Sequence, residues 1–230
     1  MILGITEKIS ILQMAACIML SAWCGSQNVA DQAAKLAKDT KSNTVVTTEA
    51  AKESQSQKTP TYGRILFVGD SRTVDIFSES ASELNAYSAG NIIVYARDAS
   101  NHSYLESTVN SYGMDNFDTL VSWMGANDYG NFSAYEGFYN SILASGKTLI
   151  LCTVGPTDDN CLAADDRPYY DNERIVAFNT ALNTWASNHG VKVIDLYTYV
   201  SGNVTIDSAD GIHYGPKPTS NIWGAITGSF

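Results

Sequence analysis

From about residue 61 onward, short apolar runs alternate with longer stretches in which apolar residues recur every three to four positions. Residues 64–69 (RILFVG), 91–96 (NIIVYA), 118–124 (DTLVSWM), 147–154 (KTLILCTV) and 191–196 (VKVIDL) are short and nearly continuously apolar, which predicts buried strands. Between them the spacing predicts helices over about 73–84, 103–114, 133–145 and 171–189. The last shows the pattern best. Ile175, Val176, Phe178, Leu182 and Trp185 form one stripe with Asn172 and Asn179 beside it, and Gly190 stops the helix. Apolar strands alternating with helices imply an α/β fold with a five-stranded parallel sheet covered on both faces. In such sheets ligands bind beyond the carboxyl ends of the strands.

The first 60 residues follow a different pattern. Residues 9–23 (ISILQMAACIMLSAW) are almost all apolar but fall short of the roughly 20 residues that a membrane span needs. Residues 1–25 read as a signal peptide or N-terminal membrane anchor, and a buried N-terminal helix is the competing reading. Residues 26–60 are rich in Ala, Lys, Ser, Thr and Gln and contain no aromatic residue. They lack the apolar area that would offset chain ordering, so a disordered polar linker is expected. Pro60-Thr61 marks the start of the folded domain, 61–230. This organisation places the protein outside the cytoplasm, secreted or tethered to the outer face of the membrane, with membrane contact only through the N-terminal segment.

Charge narrows the partners. The chain carries 14 Lys and Arg against 24 Asp and Glu, a net charge of −10. Residues 61–230 hold 8 basic and 19 acidic groups, so the acidity belongs to the folded part. A surface built to neutralise phosphates has the opposite balance, which argues against nucleic acid as a partner. Cys17 and Cys24 lie in the export segment. Cys152 and Cys161 remain, either as a disulfide or as two free thiols. No Cys/His spacing suits zinc. Asp158, Asp159, Asp165 and Asp166 form either a solvated acidic loop or a calcium site, though their spacing departs from the EF-hand pattern.

The strand ends carry the chemistry. The first ends in Gly69-Asp70-Ser71-Arg72 and the third in Gly125-Ala126-Asn127-Asp128, while Asp210-Gly211-Ile212-His213 stands near the C-terminus. Together they supply a hydroxyl, an imidazole, a carboxylate and a side-chain amide, the parts needed for acyl transfer. In isolation Ser71 could simply cap a helix. His189 suits a helix C-terminus, and His102 a pocket wall or surface, better than either suits the role of base.

Gly-Asp-Ser after the first strand, Gly-x-Asn-Asp after the third and Asp-x-x-His near the end, in that order, resemble the SGNH/GDSL hydrolase superfamily over about residues 63–228. Phe178-Asn179 and the stretch 210–214 (DGIHY) look like its bacterial members. The resemblance implies a three-layer α/β/α sandwich with a flavodoxin-like sheet and an esterase that needs no metal or organic cofactor. It implies Ser71 as nucleophile, His213 as general base and then acid, and Asp210 as the group that orients His213. The oxyanion hole would combine the backbone N–H of Ser71, a backbone N–H after the second strand and the Asn127 amide, with Asp70, Arg72, Gly125 and Asp128 in support. Asp128 is expected to bond neighbouring backbone.

The chain departs from the family where a glycine normally supplies the second backbone donor. Residues 95–104 read YARDASNHSY. Ala99 falls nearest that position, with Ser100 the alternative, and a backbone donor survives the change from glycine to alanine if φ stays negative. Asp98 brings negative charge close by, with Arg72 or Arg97 as candidate counter-charges. The expected substrate is a small-molecule or carbohydrate ester, such as an acetylated cell-envelope polymer. The alternatives are a lysophospholipase or thioesterase, or a non-catalytic binding domain on the same scaffold. Trp123, Tyr129, Phe132, Tyr135, Tyr169 and Tyr170 either stack on sugars, line an acyl pocket or pack at core edges.

Overall fold

The structure, a computed structural model, describes residues 62–230. The expected export segment and linker lie outside the described residues. The main sheet of the described part has six strands: β1 (Ile65–Gly69), β2 (Glu83–Ala89), β3 (Ile92–Arg97), β4 (Thr119–Trp123), β5 (Thr148–Cys152) and β6 (Lys192–Ile194), in the order β2-β3-β1-β4-β5-β6. The five strands expected from the apolar runs are mutually parallel. β2 is an added edge strand, antiparallel to β3.

Alternate residues of β1 feed two cores, because successive side chains of a strand point to opposite faces. Leu66 and Val68 join a cluster with Leu105, Tyr135, Phe178 and Leu182. Ile65 and Phe67 join another with Val74, Leu196, Ile222 and Ile226. The first cluster is roofed by α2 (His102–Tyr112), α3 (Ser133–Ala144) and α5 (Asn172–His189), which follows the short α4 (Arg167–Tyr170). The second is roofed by α1 (Ser71–Phe77), α6 (Leu196–Asn203) and α7 (Ser220–Thr227). A helix layer on each face gives the three-layer α/β/α sandwich.

The region expected as one helix, 73–84, is divided. α1 ends at Phe77, and the Ser78 hydroxyl accepts from the backbone N–H groups of Ser80 and Ala81, turning the chain out of the helix. The following residues pair with β3 instead. Only Leu84 of β2 is buried, so the strand rests on backbone pairing and leaves almost no apolar signature. In α5, Ile175, Phe178, Leu182 and Trp185 are buried as expected, while Val176 faces outward. Gly190 caps the helix in the left-handed conformation at φ +65. Asn179 is buried where an apolar residue would fit the stripe. Its amide grips the backbone of Val154, accepting from the N–H and donating to the carbonyl at 2.8 Å each. That pair holds the chain in place just past the end of β5.

Candidate active site

Asp70 caps α1: its Oδ1 accepts from the backbone N–H of Arg72 at 3.0 Å. Ser71 is therefore the first helical residue, and its own N–H has no intrahelical acceptor. Asp70 is buried, and desolvation pushes its carboxyl up to about 6 against the pull of the Arg72 charge and N–H. An acid whose folded pKa is raised contributes its stabilisation below its unfolded pKa near 4, and that is lost as pH rises through 6. Asp70→Asn keeps a capping acceptor but no titration. It is expected to remove about 3 kcal/mol of the stability decline between pH 4 and pH 7, as measured by urea unfolding across that range.

Arg72 borders the cavity but is buried, only 1% exposed. One Nη donates to the Gly155 carbonyl at 3.2 Å, and the guanidinium lies over the Tyr214 ring, 5.1 Å from its centroid. The Tyr214 hydroxyl donates to the Pro156 carbonyl. Arg72 and Tyr214 thus lock the start of α1, the loop after β5 and the residue following His213 into one packed unit. Arg72 is therefore not the counter-charge of Asp98, for which it was one of two candidates. Nor is Arg97, because its guanidinium stacks on Tyr104 at 4.5 Å. Burial and the nearby Asp75 raise the Asp98 carboxyl above its ordinary value.

The C-terminal motif forms a tight loop. Asp207 N–H donates to the His213 carbonyl and Gly211 N–H to the Asp207 carbonyl, both at 2.8 Å, and Gly211 in turn accepts from Asp158 N–H. Within the loop Asp210 Oδ1 accepts from the backbone N–H groups of Ile212 and His213, at 2.6 and 2.9 Å. Its Oδ2 lies 2.7 Å from His213 Nδ1. His213 Nε2 lies 2.9 Å from Ser71 Oγ. Residues 142 positions apart thus join in an unbroken chain from carboxylate to ring to hydroxyl. Burial raises the Asp210 carboxyl, but the donors from His213 and Ile212 outweigh it and leave it below the ordinary range. It is ionised at neutral pH.

Three donors line the same cavity of about 230 Å³, together with Asp98, Tyr170, Ile212 and His213: Ser71, Ala99 and Asn127. Ala99 has φ +54, so the condition of a negative φ is not met. The alanine keeps the left-handed conformation that a glycine would adopt freely, at a cost of roughly 1–2 kcal/mol. Its N–H has no acceptor among the described residues, whereas Ser100 N–H donates to the Arg97 carbonyl. That difference favours Ala99 over Ser100 as the free donor.

Asn127 is oriented at both ends of its amide. Nδ2 donates to the Ser100 carbonyl at 2.9 Å, and Oδ1 accepts from the Tyr170 hydroxyl at 3.0 Å. One N–H remains for the cavity. The part played by Tyr170 was not legible in the sequence, because it lies 43 residues away on α4 and no local pattern marks it. Gly125, φ +123, is required for another reason. A Cβ there would sit 2.2 Å from the Phe178 ring, so the glycine lets α5 press against the loop that carries Asn127.

Asp128 is buried and reaches further than neighbouring backbone. Oδ1 accepts from His102 N–H and lies 2.7 Å from His102 Nδ1, while Oδ2 accepts from the Tyr135 hydroxyl. This ties the start of α2 to α3 and removes His102 from the cavity wall. His189 stacks on Trp185 and bonds its carbonyl. Cys152 and Cys161 are free thiols. In the acidic loop Asp158 accepts from Asn160 and Cys161, and Asp159 from Asn172, so both carboxylates serve local turns. Trp123, Phe132 and Tyr135 belong to the core, whereas Tyr129 and Tyr169 are exposed.

Neither a protein-family model nor a curated protein matches the sequence. Solved structures do. A lipase/acylhydrolase from Enterococcus faecalis superposes with a TM-score of 0.53 at 18% identity, covering 71% of this chain and 93% of its own. A GDSL-like lipase from Bacteroides thetaiotaomicron gives 0.52 at 16%, covering 73% and 87%. An acetyl xylan esterase gives 0.50 at 17%, covering 72% and 97%. The chain has the fold of the SGNH/GDSL hydrolases.

Proposed function

We propose that the protein is a serine esterase acting on small carboxylic esters. The observation that carries this reading is the relay from Asp210 through His213 to Ser71, with gaps of 2.7 and 2.9 Å. Ser71 Oγ attacks the ester carbonyl while its proton passes to His213 Nε2. Asp210 holds the ring with its proton on Nδ1 and stabilises the imidazolium. The oxyanion is met by the N–H groups of Ser71 and Ala99 and by the Asn127 amide. His213 then returns the proton to the departing alkoxide, leaving an acyl-Ser71. Water attacks that acyl group as its proton passes to the same ring, releasing the acid and restoring the serine.

The acyl group is short. A cavity of about 230 Å³ lies below the roughly 300–1,000 Å³ of typical small-molecule sites. Asp98 on its wall and a chain charge of −10 work against polyanionic leaving groups such as coenzyme A. An acetylated neutral carbohydrate, met outside the cytoplasm, suits both features, and one superposed structure is an acetyl xylan esterase.

Chain-length profiling of p-nitrophenyl esters tests the acyl assignment. Acetate is expected to exceed octanoate by at least tenfold in kcat/KM. A preference for octanoate or longer esters would favour a lysophospholipase instead.

A further inference from the structure

A cluster of three tyrosines reaches the cavity through Tyr170. Tyr170 lines the cavity and holds Asn127 through its hydroxyl. Tyr129 packs edge-on against it, with centroids 5.7 Å apart at 87°, and Tyr169 lies against Tyr129 at 4.8 Å. Tyr129 is 45% exposed and Tyr169 48%, although neither lines the cavity itself. Two adjoining tyrosines are thus about half open to water beside the candidate active site.

The backbone adds a second observation. Tyr129 has φ +55, a left-handed conformation that is costly for a bulky side chain. Its carbonyl accepts from an Nη of Arg174 on α5 at 3.3 Å, which helps to hold the turn. Strain of this kind persists where the surroundings over-determine it, and it clusters at ligand sites. Here it falls on the residue whose ring contacts both Tyr170 and Tyr169.

Both rings are about half exposed and lie outside the cavity, so they do not enclose an alkyl chain as lipid pockets do. They offer flat aromatic faces with negative quadrupoles and hydroxyl edges. A pyranose matches this, with weakly positive C–H groups on one face and hydroxyls at its rim. We propose that Tyr129 and Tyr169 form a stacking subsite for a neutral sugar ring of the leaving group, adjacent to the ester held at Ser71. The inference rests on the esterase reading and specifies the substrate of that same site.

The test uses the full chain and two kinds of ester. p-Nitrophenyl acetate has no sugar, whereas O-acetylated xylotetraose and chitotetraose do. The ratio of kcat/KM for the better sugar ester to that for p-nitrophenyl acetate is expected to fall at least tenfold in Tyr169→Ala and in Tyr129→Gly, which suits the left-handed backbone. Tyr169→Phe keeps the stacking face and should keep the ratio. Tyr87→Ala, which removes an exposed tyrosine from β2, should also keep it. An unchanged ratio in Tyr169→Ala, or an equal fall in Tyr87→Ala, overturns the subsite. So does a wild type that cleaves p-nitrophenyl acetate but neither sugar ester. A folded wild type that cleaves none of the three brings down the esterase reading instead.

Discussion

Replacing His213 with alanine is expected to lower kcat for p-nitrophenyl acetate by about 10⁵–10⁶-fold, with little change in melting temperature. A serine hydroxyl is a weak nucleophile until a neighbouring base takes its proton. His213 Nε2 stands 2.9 Å from Ser71 Oγ, and no other histidine among the described residues can replace it. His102 is bound to Asp128 and His189 to the Trp185 carbonyl. Asp70 faces the backbone of Arg72 rather than Ser71 Oγ. Steady-state kinetics decide the matter: a loss smaller than a hundredfold would mean that the hydroxyl is not activated through this ring.

Asp210→Asn should cost about 10⁴-fold in kcat, for a reason visible in the loop. Oδ1 of Asp210 accepts two backbone N–H groups, from Ile212 and His213. An asparagine must keep its oxygen there or face two donors with a third. Its NH₂ is therefore forced to the position of Oδ2, 2.7 Å from His213 Nδ1. Nδ1 must then accept, so the ring proton moves to Nε2 and points at Ser71. The base is present but blocked, and the fold keeps its loop. Asp210→Ala leaves Nδ1 free to take either tautomer and should lose less activity than Asp210→Asn. An equal or smaller loss in Asp210→Asn would remove the tautomer argument. The depressed Asp210 carboxyl also stabilises the fold above its unfolded pKa, and that contribution is lost as pH falls through its folded value.

The strands that position these groups were legible because burial on both faces writes itself as unbroken apolar runs. Leu66, Phe67 and Val68 are fully buried, and so are Leu120 and Val121. β2 was hidden because it is an edge strand with one buried residue, and the Ser78 turn that ends α1 resembles ordinary helix-compatible sequence. α6 and α7 were likewise missed: they are eight residues each, too short for periodicity to stand out. At the site, the local motifs were readable as clusters after strand ends, since Gly-Asp-Ser and Asp-x-x-His keep their partners within a few residues. Long-range orientation was not. Charge alone offers Arg72 or Arg97 as partner for Asp98, but Arg72 serves the Gly155 carbonyl 83 residues away and Arg97 stacks on Tyr104. Tyr170 holds the Asn127 amide from a four-residue helix with no pattern of its own. The left-handed conformation of Ala99 depends on its loop, and its sign of φ was not written in the local sequence.

Everything in the proposed chemistry requires that Ser71 be an activated nucleophile. A fluorophosphonate probe reads that directly, because it labels activated serines and leaves ordinary hydroxyls alone. The wild-type protein is expected to take up one probe per chain, on the peptide containing Ser71, and Ser71→Ala none. Labelling that survives in Ser71→Ala, or a folded wild type that takes up no probe, would contradict the account.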